Sequence, residues 1–263
     1  MLESVLKRDR NIVLIALMLL TALAWADLIR LNASMSTAAG MASMPSMPGM
    51  NMGPPPQPFA LANLALTFAM WSVMMVGMMV PSAAPMILLY ARVGRQARAG
   101  GAPFSATGWF AAGYLAAWCA FAVFATLAQA SLSQAELITP MLAANNKYLI
   151  AALLFATGLY QWLPLKDRCL VQCQAPLAFL QRAGGFKRDI RGSFTLGLKH
   201  GAFCIGCCWA LMALLFVGGV MNLLWIAALA IFVLLEKLLV WGRNITRASG
   251  LICIAAALVI LAR

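Results

Sequence analysis

The sequence predicts an all-α fold, a polytopic membrane helical bundle of six to seven transmembrane helices. Three observations carry that class. Hydrophobic residues make up 63% of the 263 and charged residues 10%, with a mean hydropathy of +0.88, a mix outside that of soluble domains. Several apolar runs of about 20 residues match a hydrocarbon core about 30 Å thick. The basic residues sit in short connections between those runs, where they act as orientation signals. That placement accounts for the formal charge of +12 without nucleic acid, and the expected surroundings are the lipid bilayer of a bacterial inner membrane.

The chain opens with Lys7, Arg8 and Arg10 before an apolar run, Ile12 to Ile29. A cleaved signal peptide shares the basic start, but this run is long, holds Trp25 and Asp27 near its end and lacks a small-residue cleavage site. Residues 1–31 are therefore read as an uncleaved first helix with a cytoplasmic N-terminus. Residues 32–60 break the pattern: they are poor in charge and rich in Gly, Pro, Ser and Ala, the composition of a flexible loop. By alternation this loop is periplasmic. Its Met41, Met44, Met47, Met50 and Met52 are neutral thioethers suited to capturing Cu(I); a linker that merely happens to be rich in Met is the plainer alternative.

Residues 61–263 form the expected bundle. In its first span, Leu61 to Tyr90, Met74 and Met78 follow Met70 on one helical face, with Met75 and Met79 beside them and Met86 about two turns on. These residues read either as flexible gap-fillers or as a thioether ladder for Cu(I). Pro81 and Pro85 are expected to kink this helix and free carbonyls beside the ladder. Trp109 to Gln129 and Lys147 to Leu163 are the next spans, the latter closing on Tyr160-Gln161-Trp162-Leu163-Pro164. A basic cytoplasmic loop at about 164–199 follows. It begins with Cys169 and Cys173 at i, i+4, a poor geometry for a disulfide and a serviceable metal clamp. Ser193 is the expected N-cap of the fifth span, Phe194 to Val220. Leu223 to Trp241 and a short Leu251 to Leu261 complete the set, and every basic-rich connection then falls inside.

The chemistry concentrates on the fifth span. His200, the single histidine, precedes Cys204 and Cys208 at i, i+4, i+8 on one face, with Cys207 one step round. Glu236, inside the sixth span, is costly there and so a candidate ligand, with an ion pair to a nearby Lys or Arg as its structural alternative. Its neighbour Lys237 is expected to snorkel to the interface. Seven cysteines make no complete disulfide framework, and reduced thiols are expected. The topology brings Cys169, Cys173, His200, Cys204, Cys207, Cys208, Glu236 and Met86 to one depth, and their softness favours copper, as Cu(I), over zinc or iron. The expected function is binding of a soft metal for transport, delivery or homeostasis, with a metallochaperone or a metal-dependent membrane enzyme as partner.

Two other functions fit the same residues. Cys204-Ile205-Gly206-Cys207 is the pair used by membrane thiol-disulfide relays, and the bundle could instead be a scaffold for assembling a metal-dependent enzyme. No catalytic residue is assigned. The absence of a Gly-x4-Gly-Lys-[Ser/Thr] loop disfavours an ATP-driven pump.

Four motifs, in order, resemble an uncharacterised bacterial family described as predicted metal-binding integral membrane proteins. They are Met74-Met75-Val76-Gly77-Met78-Met79-Val80-Pro81-Ser82; Tyr160-Gln161 with Pro164-Leu165-Lys166, Cys169, Cys173 and Pro176; Gly206-Cys207-Cys208-Trp209 with Leu211-Met212; and Glu236-Lys237. The likeness covers about Leu61 to Trp241. It implies a helical membrane fold and a metal role without a reaction, and the Met-rich segment 32–60 lies outside it.

Overall fold

The structure, a computed structural model, describes residues 2–42, 57–98, 106–139, 142–187, 189–239 and 241–263. In chain order the helices are α1 (Leu2–Ala42), α2 (Leu61–Arg98), α3 (Ala106–Gln134), α4 (Lys147–Tyr160) and α5 (Pro164–Gln174). They continue with α6 (Pro176–Arg182), α7 (Ile190–Ala213), α8 (Leu215–Gly218), α9 (Leu223–Leu238) and α10 (Gly242–Ala262). The only β pairing among the described residues is an isolated bridge between Ile138 and Ala144. The fold is an all-α bundle, as composition required.

Among the described residues, five segments are long and apolar enough to cross a membrane: Asn11–Ser34, Leu61–Gln96, Thr107–Gln134, Ile190–Gly218 and Gly242–Ala262. The α4–α5 pair makes a sixth if it counts as one span, but it is bent by 67°. The break falls where Pro164, which lacks an N–H, starts a new helix at its first position. The expected sixth span is shorter than a full crossing, because α9 has 16 residues, about 24 Å at 1.5 Å per residue. The last helix is longer than expected and begins at Gly242 rather than Leu251. Likewise α1 continues to Ala42, which puts Met41 on a helix; Met44, Met47, Met50 and Met52 lie outside the described residues.

Helices α3 and α7 form the most extensive pair, followed by α1 with α2, α4 with α10, and α2 with α3. Two glycines set the closest approach. A Cβ on Gly197 would overlap the carbonyl oxygen of Phe110, and one on Gly113 would overlap that of Phe194. Small residues let membrane helices approach to backbone contact, and here the contact turns one face of α7 onto Tyr114 of α3. Around this pair the core gathers Trp71, Tyr90, Phe110, Tyr114 and Trp118, all buried. The apolar surfaces of α1 and α10 stay on the outside: Ile15, Met18, Leu19, Leu251, Ile252 and Leu258 are all exposed, as suits contact with lipid.

α2 is one continuous helix that contains Pro81 and Pro85. Pro81 has no N–H for the carbonyl of Gly77 four residues back. Trp25 of α1 meets that need: its indole Nε1 donates to the Gly77 oxygen at 3.3 Å.

The N-cap of α7 is Asp189 rather than Ser193. Its Oδ2 accepts from the Gly192 N–H at 2.7 Å. Ser193 is buried inside the helix, accepting from the Tyr90 hydroxyl at 2.9 Å and donating to the Lys187 carbonyl at 3.1 Å. Asp189→Ala is expected to lower stability by about 1 kcal/mol, the usual worth of an N-cap. Thermal unfolding of the purified protein in detergent checks this, and an unchanged midpoint would refute the assignment.

Candidate metal centre

Three helices deliver sulfur to one buried region. α7 brings Cys204, Cys207 and Cys208, all at most 2% exposed. α5 brings the half-buried Cys173 to the edge of this region, its Sγ 4.0 Å from that of Cys207. α2 brings Met74, Met75, Met78, Met79 and Met86, none more than 2% exposed. The Met stripe therefore faces the core rather than lipid. All seven cysteines are free thiols, as the odd count suggested.

Cys204 is the most heavily engaged of these groups. The Nζ of Lys237 on α9 donates to its Sγ at 2.8 Å, and the Tyr114 hydroxyl lies 3.1 Å from the same sulfur. Lys237 Nζ also donates to Ser82 Oγ at 3.1 Å, and Ser82 donates in turn to the Met79 carbonyl at 2.9 Å. The Met79 carbonyl also accepts from the Tyr114 hydroxyl at 3.1 Å, so Tyr114 ties that carbonyl to the sulfur of Cys204. A buried ammonium needs an anionic partner, and the sulfur of Cys204 supplies it. The thiols of Cys207 and Cys208 instead donate to the Cys204 carbonyl, at 3.0 and 2.9 Å.

Lys237 thus corrects its sequence reading. It does not snorkel; it is 4% exposed and turned into the bundle. It lies four and eleven residues after Val233 and Ile226, both fully buried, so helical register alone places it on the inner stripe of α9. That signal was hidden because α9 is apolar on every face. Tyr114 carried no signal in the sequence, and Ser82 entered only as the last residue of the Met-rich motif.

His200 stands one turn before Cys204 and is 2% exposed. Its ring is boxed by Phe179, Tyr114 and Phe110, with centroids at 5.0, 5.8 and 6.0 Å. Its Nδ1 is buried without a hydrogen-bond partner. Cys169 packs against Gly206, where an added Cβ would stand 2.7 Å from its Sγ.

Glu236 does not join the sulfurs. Its Oε1 accepts from Lys166 Nζ of α5 at 2.6 Å and from the Thr246 hydroxyl of α10, and both charged side chains are fully buried. Lys166 also donates to Gln161. Neighbours in sequence, Glu236 and Lys237 point into different networks because adjacent helical residues diverge by about 100°.

Among the described residues no group of three or more His, Cys, Asp or Glu side chains is arranged to hold a metal ion. Two sulfurs from different helices, those of Cys173 and Cys207, do come within 4.0 Å of each other. Metal–sulfur bonds of about 2.3 Å in a three-coordinate site place two sulfurs about 4.0 Å apart, the separation found. The donor chemistry fits a soft monovalent cargo whose further ligand is a thioether or a third thiol.

A family model described as copper chaperone, PpoB2, matches residues 68–260. The match runs from just before the Met stripe of α2 into the last turn of α10 and includes the buried cysteines. No curated protein and no solved structure matches the chain.

Proposed function

This chain belongs to the PpoB2 copper chaperone family, and from that premise we propose that it is a multi-pass protein of the bacterial inner membrane that binds Cu(I) among buried sulfurs and delivers it onward. The observation that carries this reading is the meeting of the half-buried Cys173 on α5 with the buried Cys207 on α7, 4.0 Å apart. Cys204 and Cys208 on α7, His200 one turn before Cys204, and the buried thioethers of Met74, Met75, Met78, Met79 and Met86 on α2 are in this reading further ligands for copper on its way to and from that pair. In this reading the N-terminus is cytoplasmic, and the segment holding Met41, Met44, Met47, Met50 and Met52 collects copper on the periplasmic side. The recipient is a metallochaperone or a copper-dependent membrane enzyme, which brings the assembly-partner alternative within the same function. The relay alternative is less well supported: Cys204 and Cys207 lie one turn apart in an unbroken helix, with Cys204 already paired to Lys237.

The test is copper content and affinity of the purified full-length protein, loaded anaerobically with Cu(I). Cys173→Ser combined with Cys207→Ser is expected to weaken binding by more than the roughly 10–100-fold that loss of an outer-shell partner causes. Copper binding equal to wild type would remove the site.

A further inference from the structure

A cleft of about 570 Å3 is lined by residues of α5, α6 and α7. Phe179 and Phe203 give it apolar walls, and Arg182, Lys199 and Cys169 add its chemistry. A few polar groups on an apolar wall, in this volume range, are the makings of a small-molecule site. Arg182 and Lys199 are both exposed. Among the described residues neither has a carboxylate partner: Asp167 takes Arg243 and Arg247, Glu236 takes Lys166, and Asp27 takes Arg30. The cleft therefore carries uncompensated positive charge. Cys169, 8% exposed, lines this space while its sulfur abuts Gly206, the residue before Cys207. It stands in the wall between the cleft and the buried thiols.

We infer that the cleft docks a small anionic thiol carrying Cu(I), and that Cys169 is the ligand through which copper passes between this carrier and the Cys173–Cys207 pair. The inference rests on the reading that the pair holds Cu(I). The two cations recognise the carrier's carboxylates, the apolar walls its body, and the thiol of Cys169 its metal. The step is ligand exchange with copper remaining Cu(I). A copper–sulfur bond to the carrier breaks, one to Cys169 forms, and the proton of Cys169 leaves on the released carrier thiol. A lipid headgroup would satisfy the two cations but gives Cys169 no part.

The test uses full-length protein in detergent and two probes. Without metal, Cys169 is modified by an anionic (sulfonatoethyl) or a cationic (trimethylammonioethyl) methanethiosulfonate, and its adduct is followed by mass spectrometry. The anionic reagent is expected to react about tenfold faster, the lower end of electrostatic steering effects, and the preference is expected to vanish in Arg182→Gln with Lys199→Gln. With Cu(I)–glutathione as donor, Cys169→Ser is expected to load roughly tenfold more slowly or worse while reaching the copper content of wild type. Gly206→Ala, whose added Cβ needs only the Cys169 sulfur to move, is expected to slow loading in the same way. Equal rates for the two reagents, unaltered loading in Cys169→Ser, or protection of Cys169 by anionic phospholipid but not by glutathione would each overturn the proposal. Failure of wild type to bind copper at all would instead sink the copper reading on which it rests.

Discussion

Lys166→Met is expected to destabilise the fold by about 3–5 kcal/mol, the cost of breaking a buried ion pair from one side. Lys166 and Glu236 are both fully buried, with Nζ 2.6 Å from Oε1. Removing the ammonium leaves a carboxylate in the bundle interior with only the Thr246 hydroxyl to answer it, since Oε2 already has no partner. The penalty is therefore the stranded charge rather than the lost attraction. Replacing both members follows different physics: Lys166→Met with Glu236→Leu removes the charge and its counter-charge together, and such swaps are often neutral. The double variant should recover most of what the single one loses. Unfolding of the two single variants and the double in one detergent closes the cycle. If the double were as unstable as the sum of the singles, the pair would not be coupled as the structure has it.

Gly197→Ala is expected to cost near the upper end of the 1–3 kcal/mol typical of overpacking, roughly 3 kcal/mol. The added Cβ overlaps the Phe110 carbonyl oxygen, and the next nearest atoms are also backbone of α3. No side chain can rotate away, so α3 must move off α7. That shift carries Tyr114 away from Cys204, whose contact is 3.1 Å, and copper affinity should fall with stability. Gly108, also on α3, is the control. A Cβ there meets nothing within 4 Å, so Gly108→Ala should be neutral or slightly stabilising through the unfolded chain. Thermal unfolding and copper titration of both variants decide the matter. A Gly197→Ala protein indistinguishable from Gly108→Ala would contradict the close α3–α7 contact.

Much of the bundle was legible because hydropathy over some 20 residues is a long, redundant signal. Span ends were less so, because they depend on local detail. Pro164 ended α4 and opened a bend that a run of apolar residues does not reveal, while Ala and Ser after Asn32 let α1 continue where composition suggested a loop. Asp189 outcompeted Ser193 as a cap because the chain enters the helix four residues earlier than the apolar pattern begins. In the site, the stripe His200, Cys204, Cys208 was readable from helical spacing, and so was the inward Met face of α2. The approach of Cys173 to Cys207 depends on how α5 docks against α7, which spacing along one helix does not encode. Glu236 and Lys237 show the limit most plainly. One charge in an all-apolar helix signals a partner, but only the packed neighbours, Lys166 for the one and Cys204 for the other, say which.

The contact between Lys237 and Cys204 also sets a condition on any ion that would use this sulfur. The ammonium and that sulfur compensate one another, so a cation that took Cys204 as a ligand would have to displace Lys237 and leave a buried charge without its partner.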